Sequence, residues 1–113
     1  MIAVPPDILV PPASVKEKLG FRVRFNCSVR GFPLPSLVWM KGNVNLNGST
    51  GVQIRERKDK DMIEGVTSLT IFQAKREDTG EYICKANNSV GTTWRSANLT
   101  VLGEYVWKIL RNF

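Results

Sequence analysis

Residues 68 to 88 carry the pattern that most narrows what this chain can become: a strand, a corner, and a second strand that runs through a cysteine. Leu69 and Ile71 alternate with Ser68 and Thr70, the period of two that a half-buried strand imposes. Residues 73–78 break the alternation and suit a short helical turn at a corner. It then resumes, with Tyr82, Cys84 and Ala86 in one phase and Glu81, Lys85 and Asn87 in the other. The same period recurs along the chain. Val23, Phe25 and Cys27 oppose Arg22, Arg24, Asn26 and Ser28; Leu37 and Trp39 oppose Val38 and Met40; Ala97, Leu99 and Val101 oppose Ser96, Asn98 and Thr100. Successive side chains of a strand point to opposite faces, so each segment divides into an inward and an outward set. Gly20, residues 31–36, the Gly- and Asn-rich residues 41–51 and the mixed charges of 58–61 read as turns and loops.

Several of these residues fall into one register: Asp78-x-Gly80-x-Tyr82-x-Cys84-x-Ala86-x-Asn88-x-x-Gly91, preceded by Cys27, Gly31-x-Pro33-x-Pro35 and Trp39. In this the chain resembles the immunoglobulin superfamily, and within it the I-set, over residues 7–102. The resemblance implies an all-β fold, an immunoglobulin-like two-sheet Greek-key sandwich. Strands A (7–10), B (21–30), E (66–72) and D (52–57) would form one sheet. Strands A′ (14–19), G (through 97–101), F (80–87) and C (from 37) would form the other, with a short C′ near 44–46. It further implies a Cys27–Cys84 disulfide between the sheets, covered by the Trp39 indole, with Leu69 in the core and the Tyr82 hydroxyl bonded to backbone at the corner. The alternative for the cysteines is a pair of buried thiols, as in cytosolic muscle domains of the same set. Asp78 takes a structural role, either accepting hydrogen bonds or pairing with Arg55 or Arg57. Residues 1–6 read as an N-terminal linker and 103–113 as a C-terminal extension that departs from the family.

Composition removes several functions. At 113 residues there is room for one domain. With no histidine, His-dependent nucleophiles and the commonest metal ligand are excluded. Glu77-Asp78, the one adjacent carboxylate pair, falls in the corner, and no catalytic, cofactor or metal constellation is expected. No run approaches the ~20 apolar residues of a membrane span. The start lacks the basic and apolar regions of a signal peptide, so the domain is expected to be an excerpt of a longer chain, which membrane anchoring elsewhere would suit.

Binding is then the function to place, on two candidate surfaces. Val38 and Met40 on strand C, with Ile83 on strand F, face outward together, and Trp94 joins them if no bulge shifts its phase. A contiguous apolar group on a sheet exterior marks a protein interface, another immunoglobulin domain or a second copy; the bland alternative is scattered surface apolars. On the opposite sheet Arg22, Arg24, Arg30, Arg55 and Arg57 suggest a basic stripe for a glycosaminoglycan, against the alternative of a solvated face in a chain of net charge +6. No nucleic-acid recognition motif accompanies the charge. Four N-x-Ser/Thr sequons, at Asn26, Asn47, Asn87 and Asn98, exceed the roughly one expected by chance and favour an extracellular or cell-surface domain. Three functions follow: an extracellular adhesion or receptor module, an intracellular cytoskeletal or sarcomeric module, or a glycosaminoglycan-binding ectodomain.

Overall fold

The computed structural model describes residues 2–103 and 108–110. Its elements in order are β1 (Val4–Val10), β2 (Val15–Lys18), β3 (Val23–Phe32), β4 (Ser36–Lys41), β5 (Val44–Asn45), β6 (Val52–Lys58), β7 (Glu64–Ile71), a 3-10 turn (Arg76–Asp78), β8 (Gly80–Asn88) and β9 (Gly91–Leu102). One sheet runs β1-β3-β7-β6 and the other β2-β9-β8-β4-β5. This is the expected sandwich, with β5 as the short C′. Pro11 and Pro12 end β1, and the chain crosses to the second sheet, where β2 pairs in parallel with the end of β9. The linker boundary moves: Val4 already lies opposite Phe32, so residues 4–6 belong to the first strand. The prolines there are tolerated because β1 is an edge strand. Of the C-terminal extension, Gly103 and a helical stretch at 108–110 are described, and the remainder, with Tyr105 and Trp107, lies outside the described residues.

The core is the sum of the inward phases. Val23, Phe25, Cys27 and Val29 of β3, Leu69 and Ile71 of β7, Tyr82, Cys84 and Ala86 of β8, and Ala97 and Leu99 of β9 close around Trp39. Cys27 and Cys84 are disulfide-bonded across the sheets with Cα atoms 6.5 Å apart. The indole ring lies 6.3 Å from Phe25, which stacks on Tyr82 at 5.2 Å. A buried indole N–H needs an acceptor. It donates to Thr67 Oγ1 at 2.9 Å, and Thr67 is itself fully buried.

At the corner the Tyr82 hydroxyl donates to the Asp78 carbonyl at 2.6 Å. The Asp78 carboxylate accepts from the Lys75 backbone N–H at 2.7 Å, while the Asp78 N–H donates to the Lys75 carbonyl. Asp78 therefore closes the 3-10 turn on itself. The alternative, an ion pair with Arg55 or Arg57, is not what forms, because the register sets these arginines beside Ser68 and Val66, away from the Ile71 end of β7 that leads into the turn. Burial and then the nearby Asp78 carboxylate push the Tyr82 phenol up to about 12.

The loops hold two further reasons for particular residues. The Phe32–Pro33 peptide is cis. The β8–β9 turn is Ser89-Val90, and neither Asn88 nor Gly91 adopts the left-handed backbone that an Asn/Gly turn suggests. Asn88 instead donates to the carbonyls of Val4 and Pro33 and accepts from the Val90 N–H. Gly91 packs under β1, where an added Cβ would stand 3.4 Å from Pro5 and Pro6.

Candidate functional site

The two outer faces of the sandwich differ in chemistry. On the five-stranded sheet, unbroken β8–β9 pairing sets Lys85 opposite Trp94 and Ile83 opposite Ser96. Across β4, Val38 faces Lys85 and Met40 faces Ile83. Two adjacent outward rows result: Val38, Lys85, Trp94 and, beside them, Met40, Ile83, Ser96. No bulge shifts Trp94, which shares the face as its phase predicts. The four apolar side chains share these two rows, with Lys85 set into one of them between Val38 and Trp94. They are not equally available. Val38, Met40 and Ile83 are half-buried by their neighbours, while Trp94 is 56% exposed. Trp94 therefore carries most of the apolar area that a partner could cover.

Two sequon asparagines bracket these rows. Asn87 lies one row beyond, across from Ser36 and Thr92, and its Oδ1 accepts from the Thr92 hydroxyl at 2.7 Å. Asn98 lies at the other end, across from Glu81, its backbone N–H donating to Ser14 Oγ. Both are exposed. Asn47 is exposed in a turn, its N–H bonded to Asn45 Oδ1. Asn26 is exposed on the other sheet, across from Ser68.

On the four-stranded sheet the outward rows read Arg24, Thr70, Gln53; then Asn26, Ser68, Arg55; then Ser28, Val66, Arg57. Arg22 precedes the first of these and shares the lining of one trough with Arg24 and Arg55. Arg22, Arg24, Arg55 and Arg57 thus belong to one surface, and all four are exposed. Arg30 does not join them. It lies at the far end of β3 between Asp7 of β1 and Glu64 of β7, so its row is acidic on both sides.

Two functional details escaped the reading of residues alone. Thr67 shares the inward phase of Leu69 and Ile71, and a core indole needs an acceptor, so phase and chemistry together could have nominated it. Lys85 stands in the outward phase next to Ile83, but its place between Val38 and Trp94 depends on cross-strand register.

The fold and its buried pins define an immunoglobulin-type sandwich. Residues 6–101 match the immunoglobulin I-set domain, and the chain belongs to that family. It is 37% identical over 102 residues to the peroxidasin homolog pxn-1 of Caenorhabditis elegans, covering 89% of this chain and 7% of that protein. It is 32% identical over 91 residues to the cell adhesion molecule Dscam2 of Drosophila melanogaster, covering 80% of this chain and 4% of that protein. The chain thus spans a small fraction of the length of these relatives. Among solved structures it resembles titin domains Z1Z2 in complex with telethonin, with a TM-score of 0.81 at 31% identity, covering 91% of this chain and 49% of that one. Among the described residues no helix is long and apolar enough to cross a membrane.

Proposed function

We propose that this chain is a non-catalytic, extracellular recognition module that meets a protein partner, an immunoglobulin domain or a second copy, through the outer face of β4, β8 and β9. The observation that carries the reading is Trp94: a large aromatic side chain, 56% exposed, on the same face as the apolar Val38, Met40 and Ile83. Exposed aromatics next to an apolar patch are the usual anchors of interfaces. The likeness to a cell adhesion molecule and to titin domains in complex with telethonin supports a protein partner. The extracellular part rests on the Cys27–Cys84 disulfide, a bond favoured in oxidising compartments, and on the four sequons. Glycans at Asn87 and Asn98 would flank the two apolar rows and confine a partner to the strip between them.

A second reading, a cytoskeletal or sarcomeric link in a chain of domains, is favoured by the likeness to titin alone. Thiol counting in protein isolated from its native source separates the two. The extracellular reading expects no reactive thiol in the native protein and two after reduction. Two reactive thiols before reduction would sink it. Bead aggregation then tests the face: beads coated with the chain are expected to cluster through it or through an added partner, and the Trp94→Ser chain to lose that clustering.

A further inference from the structure

The arginines of the four-stranded sheet are arranged with a regularity that one-dimensional alternation does not show. β3 and β6 run in the same direction on either side of β7, and Arg24 shares a row with Gln53, Asn26 with Arg55 and Ser28 with Arg57. Following the outward positions along the sheet, Arg22, just before β3, and Arg24 on it occupy two successive levels. Arg55 and Arg57 occupy the next two on β6. Each level carries one guanidinium. Outward positions repeat every ~6.8 Å, so the stripe crosses the sheet diagonally over roughly 20 Å. The floor between the two walls is low and polar. Ser68 is nearly buried and Thr70 half-buried, and the trough they line with Arg22, Arg24 and Arg55 encloses about 440 Å3. Arg24 donates to the Ser68 hydroxyl at 3.3 Å, which ties one guanidinium to the floor. No carboxylate stands in the outward rows of this stripe. Glu56, in the other phase of β6, is exposed and reaches the edge of the trough lined by Arg24, Arg55 and Arg57, one carboxylate against four guanidinium groups.

We infer that this diagonal is a binding site for a linear sulfated polysaccharide, lying across β3, β7 and β6. Regularly spaced guanidinium groups suit a chain of regularly spaced anions, because each planar fork can give two parallel hydrogen bonds to a tetrahedral oxyanion. The hydroxyls and amides of Ser68, Thr70, Gln53 and Asn26 supply partners for sugar hydroxyls between the charges. An acidic peptide fits less well, since Val66 and Phe72 are the only apolar groups lining the path and offer a peptide's side chains little to anchor on. Nucleic acid fits less well too, because a single-strand site uses successive aromatic platforms and this face offers one phenyl ring. Asn26 lies on the path, so a glycan there and the polysaccharide exclude each other.

The test is affinity for heparin against salt, by column elution and titration, with three double variants of the whole chain that each remove two charges. Arg22→Gln with Arg24→Gln and Arg55→Gln with Arg57→Gln cut the stripe from opposite walls. Arg30→Gln with Arg95→Gln removes the same charge elsewhere. Each stripe variant is expected to bind at least ~10-fold more weakly and to show a shallower salt dependence by about two charges, as counterion release requires. The third is expected to elute with the wild type. Two stripe variants made from different strands guard against a loss that merely reflects one variant's folding, and each is checked by its unchanged thermal midpoint. If all three double variants weaken equally, binding follows net charge and the site is refuted. The inference also fails if the wild type washes off below physiological salt. It fails equally if desulfated heparin, polyglutamate or single-stranded DNA binds as tightly as heparin, since the sulfated polysaccharide would then have no preference.

Discussion

The two outer faces are made from strands with the same alternation and the same buried partner layer, yet they have opposite chemistry. Across β4, β8 and β9 the outward rows gather Val38, Met40, Ile83 and Trp94 around one lysine. Across β3, β7 and β6 they gather four arginines over serine and threonine. The difference teaches where this fold is constrained. Inward positions must fill a common core around Trp39 and the disulfide, so their choice is narrow. Outward positions answer to whatever each sheet meets, and the sandwich leaves the two free of one another. Function on such a fold lies in the surface residues rather than in the fold itself. If that separation is right, damage between the sheets should weaken both faces alike, and damage on one face should leave the other untouched.

The largest effect should come from the pin that joins the sheets. Replacing Cys27 and Cys84 by alanine removes a cross-link that closes a loop with 57 residues of separation. On the chain-entropy account this costs about 4 kcal/mol. Guanidinium denaturation of the two chains measures it, and both binding activities should fall in proportion to the unfolded fraction. Loss of one activity with retention of the other would break the comparison at its base.

Alkali gives the next effect. Tyr82 ionises near 10 when unfolded and at about 12 when folded. The folded state therefore keeps its proton where the unfolded state has lost it. The stabilisation is fully present below pH 10 and is lost as pH rises through the folded value, an effect on the order of 2 kcal/mol. The measurement is the difference in denaturation midpoint between wild type and Tyr82→Phe from pH 8 to 11.5, which cancels the lysines that titrate in the same range. The difference should shrink and then reverse as pH rises. A constant difference would show that the phenol is not shielded at the corner.

At neutral pH the same Tyr82→Phe change should cost ~1 kcal/mol, the worth of one hydrogen bond to the Asp78 carbonyl. Neither heparin elution nor self-association should move, since Tyr82 is 2% exposed and reaches neither face. An unchanged midpoint would argue that the corner is held by Asp78 and Lys75 alone.

The layers of the molecule were not equally legible in the amino-acid order. Inward phases were, because apolar residues at every second position leave a strand one way to face the core, and Cys27, Trp39, Leu69, Tyr82 and Cys84 all lie where that rule puts them. Outward chemistry was legible by face but not by neighbour. Alternation puts Arg24 and Arg30 on one side of β3, yet only register shows that Asp7 and Glu64, from strands before and after, stand beside Arg30. The same limit hid Lys85 between Val38 and Trp94. Roles that depend on a loop's path were hidden further: Asn88 reaches the carbonyls of Val4 and Pro33, 84 and 55 residues away in the chain.

The smallest effect on stability, and the sharpest test of the apolar face, is Trp94→Ser. The residue is 56% exposed and no part of the buried core, so the folded state should change by less than about 0.5 kcal/mol. Its effect on association should be large by comparison. Covering the exposed part of an indole contributes about 2–3 kcal/mol at 25 cal/mol per Å2, while Val38, Met40 and Ile83 are already half covered and add less. Set against the cost of association, this supports a dimer of about millimolar affinity rather than a tight one. Sedimentation at high concentration should therefore show weak self-association of the wild type that disappears in Trp94→Ser and persists in Arg22→Gln with Arg24→Gln. Conversely, Trp94→Ser should keep the heparin elution of the wild type. The pairing of these results matters more than either alone. Two faces that serve separate partners predict variants that are each silent in the other's assay. If Trp94→Ser sediments like the wild type, the strip between Asn87 and Asn98 is ordinary surface. If it also changes heparin elution, the two sheets do not act separately.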